Sequence, residues 1–145
     1  RMVNQKYLGF NVNMIIAGLT GAVIASKIGS VFSKTYAQNE LTSFVVSVSH
    51  FVLAFIIFSS LYYLTNRKKY VSYFSKKVWF DFGKIYGTFI PSLIIFYILF
   101  FLVNDMLLHG SLSVTVSSIS AWVVGTLISR IIHTFLAHKV GVFRD

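Results

Sequence analysis

The amino-acid sequence predicts an all-α membrane protein of four transmembrane helices, arranged as two helical hairpins that suggest a repeat, with both termini cytoplasmic. Three observations predict it. The composition is 56 % hydrophobic and only 12 % charged, whereas soluble domains carry roughly 25 % charged residues. The apolar residues gather in four long blocks, near residues 8–31, 42–65, 86–108 and 112–137. Each approaches the roughly 20 residues that a helix needs to cross a bilayer. None shows period-2 alternation. Because backbone groups find no water in lipid, such blocks span it as helices.

The chain of 145 residues is one domain by length. No cysteine is present, which excludes disulfides, zinc-thiolate sites and thiol chemistry. The four acidic residues are Glu40, Asp81, Asp105 and Asp145. They lie in four separate regions, a poor basis for hydrolytic or two-metal catalysis. The net charge of +9 flanks apolar blocks, so it fits an anionic membrane face better than nucleic acid. A secretory leader is not expected, because Asn11, Asn13 and Lys27 interrupt the first block.

Block one is the least apolar. Its Asn11 and Asn13 fit interhelical or interfacial hydrogen bonds. Block two contains His50, with Ser43 and Ser47 on a similar face. An intramembrane histidine reads either as an interhelical contact or as a proton relay. The loop after block two, 66–85, holds Arg67, Lys68, Lys69, Lys76, Lys77 and Lys84. Tyr70, Tyr73, Phe74, Trp79, Phe80 and Phe82 are interleaved with these cations, which predicts a segment lying at the membrane interface. Block three carries Pro91 near its start, and 93–102 lack any small residue. That helix is expected to face lipid or a partner protein broadly. Block four has a stripe at four-residue spacing, Ser113, Ser117, Ala121, Gly125 and Ser129. Block one offers Gly18 and Ala22 in a similar register. Small residues permit close helix approach, so helices one and four are expected to pack tightly, within one chain or in a homo-oligomer.

Orientation follows from the basic residues. Lysine and arginine are abundant after block two and at both termini, and absent between blocks three and four. The positive-inside rule then places both termini and the middle loop in the cytoplasm. Lys6-x-x-Gly9 before block one parallels Lys84-x-x-Gly87 before block three, which suggests a parallel repeat of two hairpins.

Arg130 lies about 10 Å inside the end of helix four, by helical rise. A charge at that depth snorkels to the interface, pairs within the protein or binds an anionic group such as a lipid phosphate. Its planar guanidinium suits phosphate. His133 and Ser129 lie within a turn, and His138 and Lys139 follow. The four histidines lack the spacing of a helical metal site, so no metal or other cofactor is expected. No phosphate loop, nucleophile elbow or carboxylate pair is present, so the chain does not read as an enzyme.

The closing Thr134-Phe135-Leu136-Ala137-His138-Lys139-Val140-Gly141-Val142-Phe143-Arg144 resembles the end of GtrA-like membrane proteins, whose last helix runs into N-F-L-x-[NH]-[RK]-x-W-x-F. Tyr63-Leu64-Thr65-Asn66-Arg67 resembles the end of their first half. Lys6-Tyr7-Leu8 resembles the start of their first helix. Gly141 stands where the family has tryptophan, Asn11 and Asn13 interrupt the glycine-rich start of helix one, and Lys69 and Tyr70 replace an aromatic end. The resemblance implies a four-helix protein with both ends inside. It also implies a non-enzymatic role in cell-surface polysaccharide synthesis, moving polyprenyl-phosphate-linked sugars beside a membrane glycosyltransferase. Arg67, Arg130, His138 and Lys139 would then be phosphate contacts, and His133 joins them by proximity to Arg130. Two other readings compete: a structural subunit of a larger membrane complex, and a small ion or drug transporter. The second is weakened because no acidic residue lies deep in a block.

Overall fold

The computed structural model describes residues 5–140. Among them every regular element is helical: α1 Gln5–Thr35, α2 Asn39–Asn66, α3 Lys76–His109 and α4 Val114–Val140, with one 3-10 turn at Arg67–Lys69. All four helices are long and apolar enough to cross a membrane. Their outward faces carry large apolar side chains, among them Ile94, Leu102, Leu127 and Ile131. Exposed apolar surface on every helix is what a bilayer-embedded bundle presents.

The helices form a ring in which α1 meets α2 and α4, and α3 meets α2 and α4. Contact is most extensive within the hairpins α1/α2 and α3/α4, and least along the α2/α3 seam. The start of α1, the end of α2, the start of α3 and the end of α4 share one end, here called the basic end. The opposite end carries Glu40 and His109.

The helix bounds differ from the sequence expectation in ways that matter for the site. Helix α1 runs to Thr35, past the expected 31. The loop expected over 66–85 is much shorter, because α3 begins at Lys76. At 34 residues, α3 is about 50 Å long by helical rise, well beyond a hydrocarbon core of about 30 Å. The basic-aromatic stretch 76–85 is therefore the helix's own first turns. Pro91 consequently lies inside α3, rather than near its start. The connection 70–75 is tied down by aromatics. Tyr70 donates to Asp81 Oδ2 (3.0 Å) and meets the Tyr62 hydroxyl (2.6 Å), and the Tyr73 hydroxyl lies 2.9 Å from Ser59 Oγ. Burial, then the bonds to Tyr62 and Asp81, push the Tyr70 phenol above its ordinary range.

Helix α3 faces outward broadly, as expected, through exposed Ile90, Ile94, Ile98, Leu102 and Met106, and buries one narrow face. Phe89, Ser92, Phe96, Phe100, Asn104 and Leu108 are buried, a three-to-four-residue repeat that marks one inward face. That face needs no small residues of its own, because α4 supplies them. A Cβ added at Gly125 would lie 2.9 Å from a Phe96 ring carbon, so the glycine makes room for the ring. Ser117, Ala121, Gly125 and Ser129 are buried along this contact. Ser113 is not part of it. It is exposed, and its hydroxyl accepts the Val116 amide at 3.2 Å, the bond of a helix N-cap. In α1, Gly18 and Ala22 are buried. Gly18 packs on the indole of Trp122 in α4, while Gly21 and Gly29 approach α2. The glycines of α1 thus serve two neighbours.

Candidate functional site

Helix α4 turns Arg130 inward rather than along its lipid face. Its Nη1 donates to Asn11 Oδ1 of α1 at 3.1 Å and lies 3.3 Å from His133 Nδ1. The guanidinium carbon sits 4.7 Å from the Phe89 ring centroid and 5.9 Å from that of Phe10. These distances fall within cation–π reach. An arginine has no acceptor, so the 3.3 Å contact is a donation to His133 Nδ1, and the ring proton is then on Nε2. His133 is fully buried, with its ring 5.2 Å from both Phe10 and Phe89. A weakly hydrated, delocalised cation tolerates this aromatic cage better than an ammonium would.

Arg130 lines one end of a cavity of about 50 Å³ inside the bundle. The walls are otherwise mostly apolar and include Phe55, Phe89, Tyr97 and Trp122. At the other end stands His50. Its Nε2 is 2.9 Å from the Gly18 carbonyl, and its Nδ1 is 2.8 Å from the Tyr97 hydroxyl. A carbonyl only accepts, so Nε2 carries the proton and Nδ1 accepts from Tyr97. His50 stacks on Phe100 at 5.2 Å. It is thus an interhelical clamp joining α1, α2 and α3.

Of the five residues expected to seat a phosphate, the structure joins Arg130 with His133. Arg67, His138 and Lys139 are exposed at the basic end, so the five differ sharply in accessibility. Asn11 bonds Arg130, and Asn13 Nδ2 donates to Thr65 Oγ1 of α2 at 3.3 Å. Both asparagines therefore make interhelical bonds. The motif residues 141–144, and the terminal charges Arg1 and Arg144, lie outside the described residues. Nothing is described for the side chain of Lys6 either.

Sequence reasoning missed Phe10, Phe89, Tyr97 and Trp122. Each is an aromatic among many, and only the three-dimensional convergence singles them out. It also missed a group at the far end, where ligand atoms of Glu40, Asp105 and His109 lie within 4.8 Å of one another. His109 Nε2 is 3.4 Å from Glu40 Oε1, with side chains 52 % and 68 % exposed respectively. Such exposed pairs are worth about 0–1 kcal/mol, so the group is a solvated link between α2 and α3.

Comparison with protein-family models, with curated proteins and with solved structures finds no match to this chain.

Proposed function

We propose that this four-helix bundle is a GtrA-like multi-pass membrane protein that binds, and helps to translocate, a polyprenyl-phosphate-linked sugar. The observation that carries the reading is Arg130. A permanently charged guanidinium lines an apolar cavity inside a membrane bundle, toward the basic end. A lipid phosphate needs a cation at that depth with apolar surface beside it. In this reading the basic end is cytoplasmic, where exposed Arg67, Lys68, Lys69, His138 and Lys139 meet anionic headgroups. The two hairpins would be the halves of a parallel repeat, and a membrane glycosyltransferase would be the natural partner. The protein performs no covalent chemistry itself.

The bond from Arg130 to Asn11 favours a second reading, a structural subunit in which Arg130 only pins α4 to α1. Native mass spectrometry of gently solubilised protein separates the two. Retention of a polyprenyl-phosphate mass by the wild type, and its loss in Arg130→Ala, supports lipid-phosphate binding. Indistinguishable spectra without such a mass remove that reading and bring the structural subunit forward.

A further inference from the structure

The α2/α3 seam is the least closely packed of the four. On its outer side runs an apolar groove of about 580 Å³, between Phe44, Ser47 and Phe51 of α2 and Leu93, Ile94, Tyr97, Ile98, Phe101 and Leu102 of α3. Three of these residues, Phe51, Leu93 and Tyr97, also line the internal cavity that ends at Arg130. Cavity and groove therefore adjoin at these three side chains. Resting on the lipid-phosphate reading above, we infer that the Phe51–Leu93–Tyr97 seam is a lateral portal. Through it a single apolar chain of an anionic membrane amphiphile passes from the bilayer groove into the bundle, its headgroup directed at Arg130.

Three features select this occupant. The groove faces lipid through exposed Phe44, Phe51, Ile94, Ile98 and Leu102, so what meets it is hydrocarbon. The inner cavity of about 50 Å³ is small, so it has no room for the paired chains of a diacyl lipid side by side. The guanidinium at the cavity's end complements one anionic head. Tyr97 is the movable element. Its ring lies edge-on to Phe51 at 5.7 Å, and its hydroxyl is held by His50 at 2.8 Å. Swinging it aside gives up that hydrogen bond and the ring contacts with Phe51, Phe96 and Phe100.

The chain lacks cysteine and has two tryptophans, which makes the test direct. Trp79→Phe leaves Trp122, in the cavity wall, as sole reporter. Leu93→Cys then adds one thiol, which a benzyl thiosulfonate plugs and a reductant clears, so that one folded protein is compared with itself. The probes are a mid-chain-brominated alkyl phosphate and the alcohol of the same chain. The inference expects bromine to quench Trp122, the plug to cut quenching at least threefold, and reductant to restore it. No quenching, or quenching indifferent to the plug, overturns the portal. Plug-sensitive quenching that is equal for alcohol and phosphate, and unchanged in Arg130→Ala, sustains the portal while removing the phosphate reading. A preference for the phosphate that disappears in Arg130→Ala sustains both.

Discussion

The Tyr97 hydroxyl donates to His50 Nδ1 across 2.8 Å, with the proton of His50 engaged on the Gly18 carbonyl. One imidazole thus satisfies a helix carbonyl and a phenol from two neighbouring helices. It leaves no polar atom of its ring facing hydrocarbon. Tyr97→Phe keeps the ring and removes only the donor. It should lower stability by about 1 kcal/mol, since interhelical hydrogen bonds in membranes average near that value. Thermal unfolding in detergent reads the loss. His50→Leu should cost more than Tyr97→Phe, because the Gly18 carbonyl loses its side-chain donor and the aromatic stack loses a member. Equal effects of the two substitutions would contradict the clamp.

The α3/α4 turn holds a second local prediction. Ser111 has φ of 65°, the left-handed region that favours glycine. Its amide bonds the Leu108 carbonyl at 3.0 Å, and the Leu112 amide bonds that of Leu107 at 3.2 Å. This is the paired bonding of a Schellman C-cap, with Ser111 at its left-handed position. Gly110, immediately before, has φ of −77° and needs no left-handed freedom, although a Cβ there would stand 3.3 Å from the Leu107 carbonyl oxygen. Ser111→Gly should therefore stabilise the fold by about 0.5–1 kcal/mol, while Gly110→Ala should be tolerated better than a β-carbon at Gly125. Unfolding midpoints of the three variants check the order.

At the basic end, the raised Tyr70 phenol makes a prediction about pH. An unfolded tyrosine ionises near pH 10, and the folded one holds its proton to higher pH. The folded state thus binds the proton more tightly. This contribution is complete below about pH 10 and is lost as pH rises beyond it. Tyr70→Phe should be less stable than wild type at neutral pH, and the gap should narrow progressively as pH rises above about 10. Melting curves of both proteins from neutral to alkaline pH measure that difference.

The helices were legible because lipid requires long apolar runs, and the four blocks stood clear of their flanks. The start of α3 was not. Residues 76–85 carry enough lysine to read as a loop, yet an amphipathic helix at an interface uses the same residues. Nor was the inward face of block three. A run of Leu, Ile and Phe looks alike on all sides until Gly125 of another helix is known to receive Phe96. Arg130 could be singled out, since a deep charge is conspicuous in any apolar block. Its partner Asn11 is 119 residues away, and no local pattern links the two.

That partnership yields the sharpest test of what Arg130 is for. Asn11 Oδ1 stands 3.1 Å from Arg130 Nη1, so Asn11→Asp sets a carboxylate in nearly the same place. An ion pair then replaces a bond from the guanidinium to a neutral amide oxygen, and a buried guanidinium gains a counter-charge. The variant should unfold no more readily than wild type at neutral pH. A guanidinium already neutralised has little left to offer a phosphate, however. Asn11→Asp should lose retained phospholipid mass as fully as Arg130→Ala does. Asn11→Leu should be less stable than wild type yet keep the lipid. If instead Arg130 only clamps the helices, the three proteins differ in stability and not in what they carry. Native mass spectra beside melting curves therefore separate a binding charge from a structural one.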